Sequence, residues 1–364
     1  MNELQTIQLP VYFVIATIVV SNLMQKIIRY LLLRPIRWIA RLISSNPDRE
    51  RVFDALTKLK HEIRTSPGKR GLVIPFDPRS DCFIIFSDQH KGVKNGADDF
   101  QLAEQNYLAA LEYYNSRGFH LICLGDSEEL WENTLAQVKK FNKDSFEAER
   151  NFLLRHSLTK VFGNHDLDWE INPLSDKELR EIYGAEIIAL EGIILEATLD
   201  GNVFSFFCTH GHQGDLQSDG NFFTKFFVSK IWAPLQAYLH INPNTPAYSD
   251  ALKTEHNRLM YEWSFQQEGT LLITGHTHQP VFESLTHYER IQRQNNEAMY
   301  GDIKPCYFNS GCCCFDDGDI TGIEIAGGMI KLVKWENEVN KSKRIELESA
   351  SLENIVNRLH ANKV

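Results

Sequence analysis

The stretch CFIIFSDQH, Cys82 to His90, decides the fold: a short apolar run stops at Ser87 and hands over to Asp88 and His90. The same handover occurs four more times along the chain. Phe119–Leu124 ends in Gly125-Asp126, and Lys160-Val161-Phe162 leads into Gly163-Asn164-His165-Asp166. Val203–Cys208 leads into Thr209-His210, and Leu271–Thr274 into Gly275-His276-Thr277-His278. Apolar runs of this length bounded by polar punctuation read as buried strands. Between the first two runs, Leu102–Tyr114 has helical spacing. Strands interleaved with helices predict a layered α/β domain, and such sheets gather functional groups at the C-terminal ends of their strands.

Each cluster is weak evidence alone, since one buried histidine is more often structural than a ligand. The set of five is not weak. Carboxylate, imidazole and amide oxygen together suit borderline divalent ions such as Mn²⁺, Fe²⁺ or Zn²⁺. Two such ions about 3.5–4 Å apart clamp the attacking and leaving oxygens of a phosphoryl transfer.

The series Asp88-Gln-His90, Gly125-Asp126-x-x-Glu129, Gly163-Asn164-His165-Asp166, His210-Gly-His212 and Gly275-His276-Thr-His278 resembles the calcineurin-like metallophosphoesterase superfamily in order and spacing across about residues 81–335. Asn309-Ser310-Gly311 also resembles the Asn/Gly turn that follows the last motif there. The resemblance implies a four-layer α/β/β/α sandwich with two central mixed sheets. It implies one ion on Asp88, His90 and His278, a second on Asn164, His210 and His276, and Asp126 bridging both. A hydroxide held between the ions would attack phosphorus. His165 matches the histidine that faces the scissile phosphate and serves the leaving oxygen. Asp166 either orients that imidazole or caps a turn. Glu129, His212 and Asp215 are expected around the site rather than as ligands.

The domain expected from this pattern spans 81–340, with a helical insertion or lid at 213–265, a linker at 46–80 and a C-terminal helix at 341–364. A strand-rich segment after residue 303 is expected to contain a hairpin turning at Gly327-Gly328.

Composition narrows the partners. The 364 residues carry a net charge of −10, with 43% hydrophobic and 24% charged residues. Residues 1–45 set five basic side chains against Glu3, a balance of +4, so the remainder carries −14. An acidic body repels polyanions at long range and argues against nucleic acid as partner. The run Cys312-Cys313-Cys314 does not make a structural zinc site, because neighbouring strand residues point to opposite faces and no Cys-x-x-Cys pair accompanies it. Buried, reduced thiols in a cytoplasmic compartment are expected.

The N-terminus has its own character. Leu9–Met24 reads LPVYFVIATIVVSNLM, and arginines then alternate with apolar residues through Ile43. Two readings stand: a membrane anchor or surface-lying basic helix over 1–45, or a buried helix of the domain. The membrane reading is favoured, with the catalytic body on the cytoplasmic side because positive charge follows the apolar run.

For the substrate, no Arg follows Gly125-Asp126 in GDSEELWE, which argues against a phosphoprotein phosphatase. The Gly-Asp-x-x-Glu motif with Trp131, and the apolar helical pattern from Phe222 to Leu239, resemble the UDP-diacylglucosamine pyrophosphatases. His165 departs from that branch, where Arg commonly follows Gly-Asn. The expected activity is hydrolysis of a phosphodiester or pyrophosphate, with a lipid-linked substrate leading. The rival readings are a soluble nucleotide or nucleic-acid phosphodiesterase, a protein phosphatase, and a catalytically silent membrane scaffold.

Overall fold

The computed structural model describes residues 47–95, 98–214, 250–286, 288–290, 292, 303–338 and 341–361. The strands are β1 (Gly71–Pro75), β2 (Phe83–Phe86), β3 (His120–Leu124), β4 (Leu158–Val161), β5 (Ala189–Leu190), β6 (Gly192–Leu199) and β7 (Asn202–Thr209), followed by β8 (Thr270–Thr274), β9 (Val281–Phe282), β10 (Leu285–Thr286), β11 (Tyr307–Asn309), β12 (Ile320–Ala326), β13 (Met329–Glu338) and β14 (Lys341–Ser351). The helices are α1 (Arg49–Thr65), α2 (Phe100–Ser116), α3 (Leu135–Phe141), α4 (Lys143–Leu153), α5 (Asp168–Ile171), α6 (Ser175–Tyr183), α7 (Asp250–Phe265) and α8 (Leu352–Ala361).

Two seven-stranded mixed sheets result, ordered β1-β6-β7-β8-β11-β9-β10 and β14-β13-β12-β2-β3-β4-β5. Side-chain alternation fixes how they stack. In β2, Phe83 and Ile85 face inward and meet Ile193, Leu195, Phe204 and Phe206 of the other sheet in one core. Ile84 and Phe86 face outward, onto Phe100, Tyr107 and Tyr114 of α2. On the far side, Ile194 and Phe207 face outward and receive Leu56, Leu59 and Ile63 of α1 with Trp263 of α7. The order is therefore helix, sheet, sheet, helix, and the expected layering is what the two sheets form.

Three boundaries drawn from sequence change. Residues 46–80 are not a linker. Asp48 caps α1 by accepting from the Arg51 amide at 3.0 Å, and Val52, Leu56, Leu59 and Ile63 bury one face. β1 then pairs parallel with β6, Gly71 opposite Gly192. The terminal segment is not one helix either: Lys341–Ser351 is a strand paired antiparallel along β13, and only Leu352–Ala361 is helical. The alternating charged residues of 341–351 suit the half-exposed face beside β13, which decides a segment whose own propensity is neutral. Of the expected insertion, 215–249 lies outside the described residues, whereas α7 belongs to the core, with Leu259, Met260 and Trp263 buried.

The β12–β13 hairpin does turn at Gly327-Gly328, both with positive φ (58° and 74°), the conformation a two-residue turn of this kind requires. Residues 1–46, including the expected membrane segment, lie outside the described residues. Among the described residues, no helix is long and apolar enough to cross a membrane.

Candidate metal centre

Five loops leave the C-terminal ends of β2, β3, β4, β7 and β8 and converge. Ten non-glycine residues among the described ones have positive φ, and five of them are Asp88 (53°), His90 (49°), Asp126 (51°), His276 (69°) and His278 (55°). Such backbone costs about 1–3 kcal/mol per residue and persists where the surroundings impose it. Close packing imposes it here. A Cβ on Gly125 would lie 2.5 Å from the His210 ring, and one on Gly163 would lie 2.2 Å from Asp126 Oδ1. These motif glycines let the loops approach within donor distance of one another.

The donor atoms gather in two overlapping groups. His278 Nε2 is 3.2 Å from Asp88 Oδ1 and 3.3 Å from His90 Nε2, and His90 Nε2 is 3.8 Å from Asp126 Oδ2. On the other side of Asp126, His210 Nε2 is 3.1 Å from Asp126 Oδ2, and Asp126, His210 and His276 form a group able to hold an ion. Asp126 therefore stands between the two groups, where the bridging position was expected.

Hydrogen bonding tests whether cations fit. His210 Nδ1 donates to the Leu124 carbonyl at 2.9 Å, so in the neutral ring Nε2 presents a lone pair. That lone pair faces a carboxylate oxygen, an arrangement of two acceptors that repel each other unless a cation sits between them. His276 Nε2, His210 Nε2 and Asn164 Oδ1 are all buried without a hydrogen-bond partner. A buried polar atom left unpaired costs about 1–3 kcal/mol, and two of these atoms, on His210 and His276, belong to the Asp126 group able to hold an ion. Burial opposes charging of His210, but Asp126 and Asp88 outweigh it and raise the imidazole to about 9.

The loops are held by side chains of the motifs themselves. The Asp88 carboxylate accepts from the His276 amide at 3.0 Å. Asn309, from the Asn-Ser-Gly turn, donates Nδ2 to the Gly275 carbonyl at 2.7 Å and so fixes the loop of His276 and His278.

Asp166 does not orient the His165 ring. Its carboxylate accepts from the backbone amides of Gly163 (2.6 Å) and Ser127 (2.8 Å), tying the second loop to the third. The partner of His165 is Glu129, whose Oε2 lies 2.7 Å from His165 Nδ1 and 3.0 Å from His90 Nδ1. Burial alone would raise the Glu129 carboxyl, but His165 and His90 outweigh it and bring it down to about 2. Burial likewise opposes a charged His165, yet Glu129 and Asp126 raise it to about 9. Trp131 stacks on the His165 ring, centroids 4.1 Å apart at 17°.

His212 is buried with its ring 5.5 Å from that of His210, and burial followed by the His210 charge pushes it down to about 3. It is a neutral neighbour of the centre. Asp215 lies outside the described residues. Sequence patterns do not single out His256 of α7, whose ring centroid is 5.1 Å from that of His276 and whose Nδ1 has no partner. No motif surrounds it, and helical spacing alone does not separate it from a packing residue.

The fold and these donors define a dinuclear metallohydrolase. The profile of the family described as calcineurin-like phosphoesterase matches residues 83–280, and the chain belongs to that family. It is accordingly a metal-dependent phosphoester hydrolase working with two divalent ions. No curated protein sequence matches the chain. Solved structures similar to it include a dimetal phosphatase from Danio rerio, at 11% identity over 75% of this chain and 99% of that one, with a TM-score of 0.38. Another is Vacuolar Protein Sorting 29 from Cryptosporidium parvum, at 12% identity, with the same two coverages and a TM-score of 0.32. At these scores neither likeness carries an argument about function.

Proposed function

We propose that the protein hydrolyses a phosphodiester or pyrophosphate in a lipid-linked substrate, of the kind UDP-diacylglucosamine represents, with the catalytic domain on the cytoplasmic side of a membrane. Asp88, His90 and His278 would hold one ion and Asn164, His210 and His276 a second, with Asp126 between the two groups; bound there, the pair would supply an activated water and a clamp for the phosphoryl oxygens. His165 holds a proton on the imidazole, its Nδ1 engaged by Glu129, so Nε2 is left to serve the leaving oxygen. Glu129 also touches His90, so one carboxylate sets both the acid and a ligand of the first ion. Trp131 limits rotation of the imidazole by stacking.

The observation that carries the chemistry is the group Asp126, His210 and His276, in which both imidazole Nε2 atoms are buried without a hydrogen-bond partner. Support for a lipid-linked substrate comes from sequence: the apolar run Leu9–Met24 with its following arginines, the apolar pattern Phe222–Leu239, and the missing Arg after Asp126. Purified full-length protein, loaded in turn with Mn²⁺, Fe²⁺ and Zn²⁺, is to be offered UDP-linked lipids, cyclic nucleotides, nucleic acid and phosphopeptides, with vesicle sedimentation alongside. Preferred turnover of the UDP-linked lipid and co-sedimentation are expected. Preferred cleavage of nucleic acid or phosphopeptide by a protein that stays in the supernatant would reject the lipid reading.

A further inference from the structure

His256 and Asn257 are neighbours on α7, both buried, and neither belongs to the expected donor set. The helix that carries them is fixed to the core: Leu259, Met260 and Trp263 are buried, and Trp263 Nε1 donates to Thr57 Oγ1 of α1 at 3.0 Å. His256 lies one turn before Leu259 and Met260 on the same face. Its ring centroid is 5.1 Å from that of His276, as close as the 5.2 Å between His276 and His210. A hydrogen bond also joins the His256 ring to the backbone of Gly211, in the turn between His210 and His212.

Asn257 reaches the other loop. Its Oδ1 accepts from Thr277 Oγ1 at 3.2 Å and from the Tyr307 hydroxyl at 2.8 Å, and its Nδ2 donates to Gln279 Oε1 at 2.9 Å. Thr277 stands between His276 and His278, and Gln279 follows them, so one side-chain amide grips the loop at two points. Asn309 Nδ2 donates to the same Thr277 hydroxyl at 3.2 Å. The grip has a task. His276 and His278 hold positive φ (69° and 55°), a conformation that the surroundings must impose.

We propose that His256 and Asn257 are positioning residues for the ion pair: α7 sets the separation of the two loops that bring His210 and His276 to Asp126. Two independent contacts converge on it, His256 with the Gly211 turn and the His276 ring, and Asn257 with Thr277 and Gln279. The group of donor atoms able to hold an ion is Asp126, His210 and His276 without His256, so the helix acts through the ligands. Groups that orient ligands in this way typically change metal affinity by about 10–100-fold when they are lost.

The inference goes beyond the substrate reading and stands whichever phosphate ester is cleaved. Full-length protein is titrated with Mn²⁺ and followed by electron paramagnetic resonance, in which a spin-coupled pair is distinct from the six-line signal of a lone ion. His256→Leu and Asn257→Ala should form the coupled pair only at Mn²⁺ about 10–100-fold above the native requirement. Thermal melting of the metal-free variants should stay close to native, and raising Mn²⁺ by the same factor should restore turnover of a generic aryl phosphodiester. A merely structural role would move the melting and leave the titration in place. Should either variant fail to fold, Thr277→Val removes the hydroxyl at the far end of the Asn257 bond and should give the same shift, with Thr277→Ser restoring the native titration. Native pair formation in the variants, or turnover that added Mn²⁺ does not restore, overturns the inference. So does a native protein that takes up metal without forming a coupled pair, and none of these results bears on the lipid reading.

Discussion

Two buried, charge-rich regions lie next to each other in this protein, and they differ in one respect. Behind the loop of Asp126, a network joins Lys91, Glu128, Glu149 and Lys160, all fully buried. Lys91 Nζ is 2.6 Å from Glu149, Lys160 Nζ donates to Glu128 at 2.9 Å, and Trp169 donates to the other Glu128 oxygen at 2.8 Å. Tyr107 and Tyr183 donate to the two oxygens of Glu149. Burial would lower the Lys91 pKa, but Glu149 and Glu128 outweigh it and raise it. Each of these charges has a partner. In the metal centre Asn164, His210 and His276 keep buried atoms without a hydrogen-bond partner, and His210 Nε2 faces the Asp126 carboxylate at 3.1 Å. Satisfied buried charge holds loops in place, and unsatisfied buried polarity with strained backbone marks chemistry.

That contrast can be broken most severely at Asp126. Asp126→Asn removes the shared carboxylate, and hydrolysis of a generic aryl phosphodiester should fall to background, with bound metal measured in parallel. His165→Ala should slow turnover by about 10²–10⁴-fold while both ions remain, if the ring serves the leaving oxygen as proposed rather than holding metal. Loss of metal by that variant would reverse the role given to His165.

Lys91→Met tests the other side of the comparison. It leaves Glu149 and Glu128 buried without their shared cation, and denaturant unfolding should show a loss of about 3–5 kcal/mol. Turnover per folded molecule should change little, and a specific loss of metal instead would erase the distinction between the regions. The smallest effect is expected for Glu129→Gln, which keeps shape but removes the charge between His165 and His90. About 10–100-fold in activity or first-ion affinity should be lost, read from kinetics and metal titration.

The residues that converge at the centre are legible in the sequence, because metal chemistry restricts residue types and the strand ends repeat in order. The outer layers are partly legible. Val52, Leu56, Leu59 and Ile63 have helical spacing, yet the basic and acidic residues among them mask it and give 46–80 the look of a linker. Lys341–Ser351 reads as helix because nothing local to it requires a strand, and only its pairing with β13 does. Within the site, Glu129 replaces Asp166 as the carboxylate beside His165. Both acids stand near that histidine in the motif series, and the difference lies in where two loop backbones place their amides.

By itself, then, the sequence determined the alternation of strands with metal-competent loops and the residue types that meet at the strand ends, His165 among them, since each depends on residue type and short-range pattern. Tertiary structure alone decided that Asp166 clamps backbone amides, that Glu129 joins His165 to His90, that Lys91 and Lys160 are neutralised beneath the centre, and that Cys314 rather than Cys313 faces His278. These are contacts between segments far apart in the chain. Their distances follow from sheet register and loop closure, which no local pattern encodes.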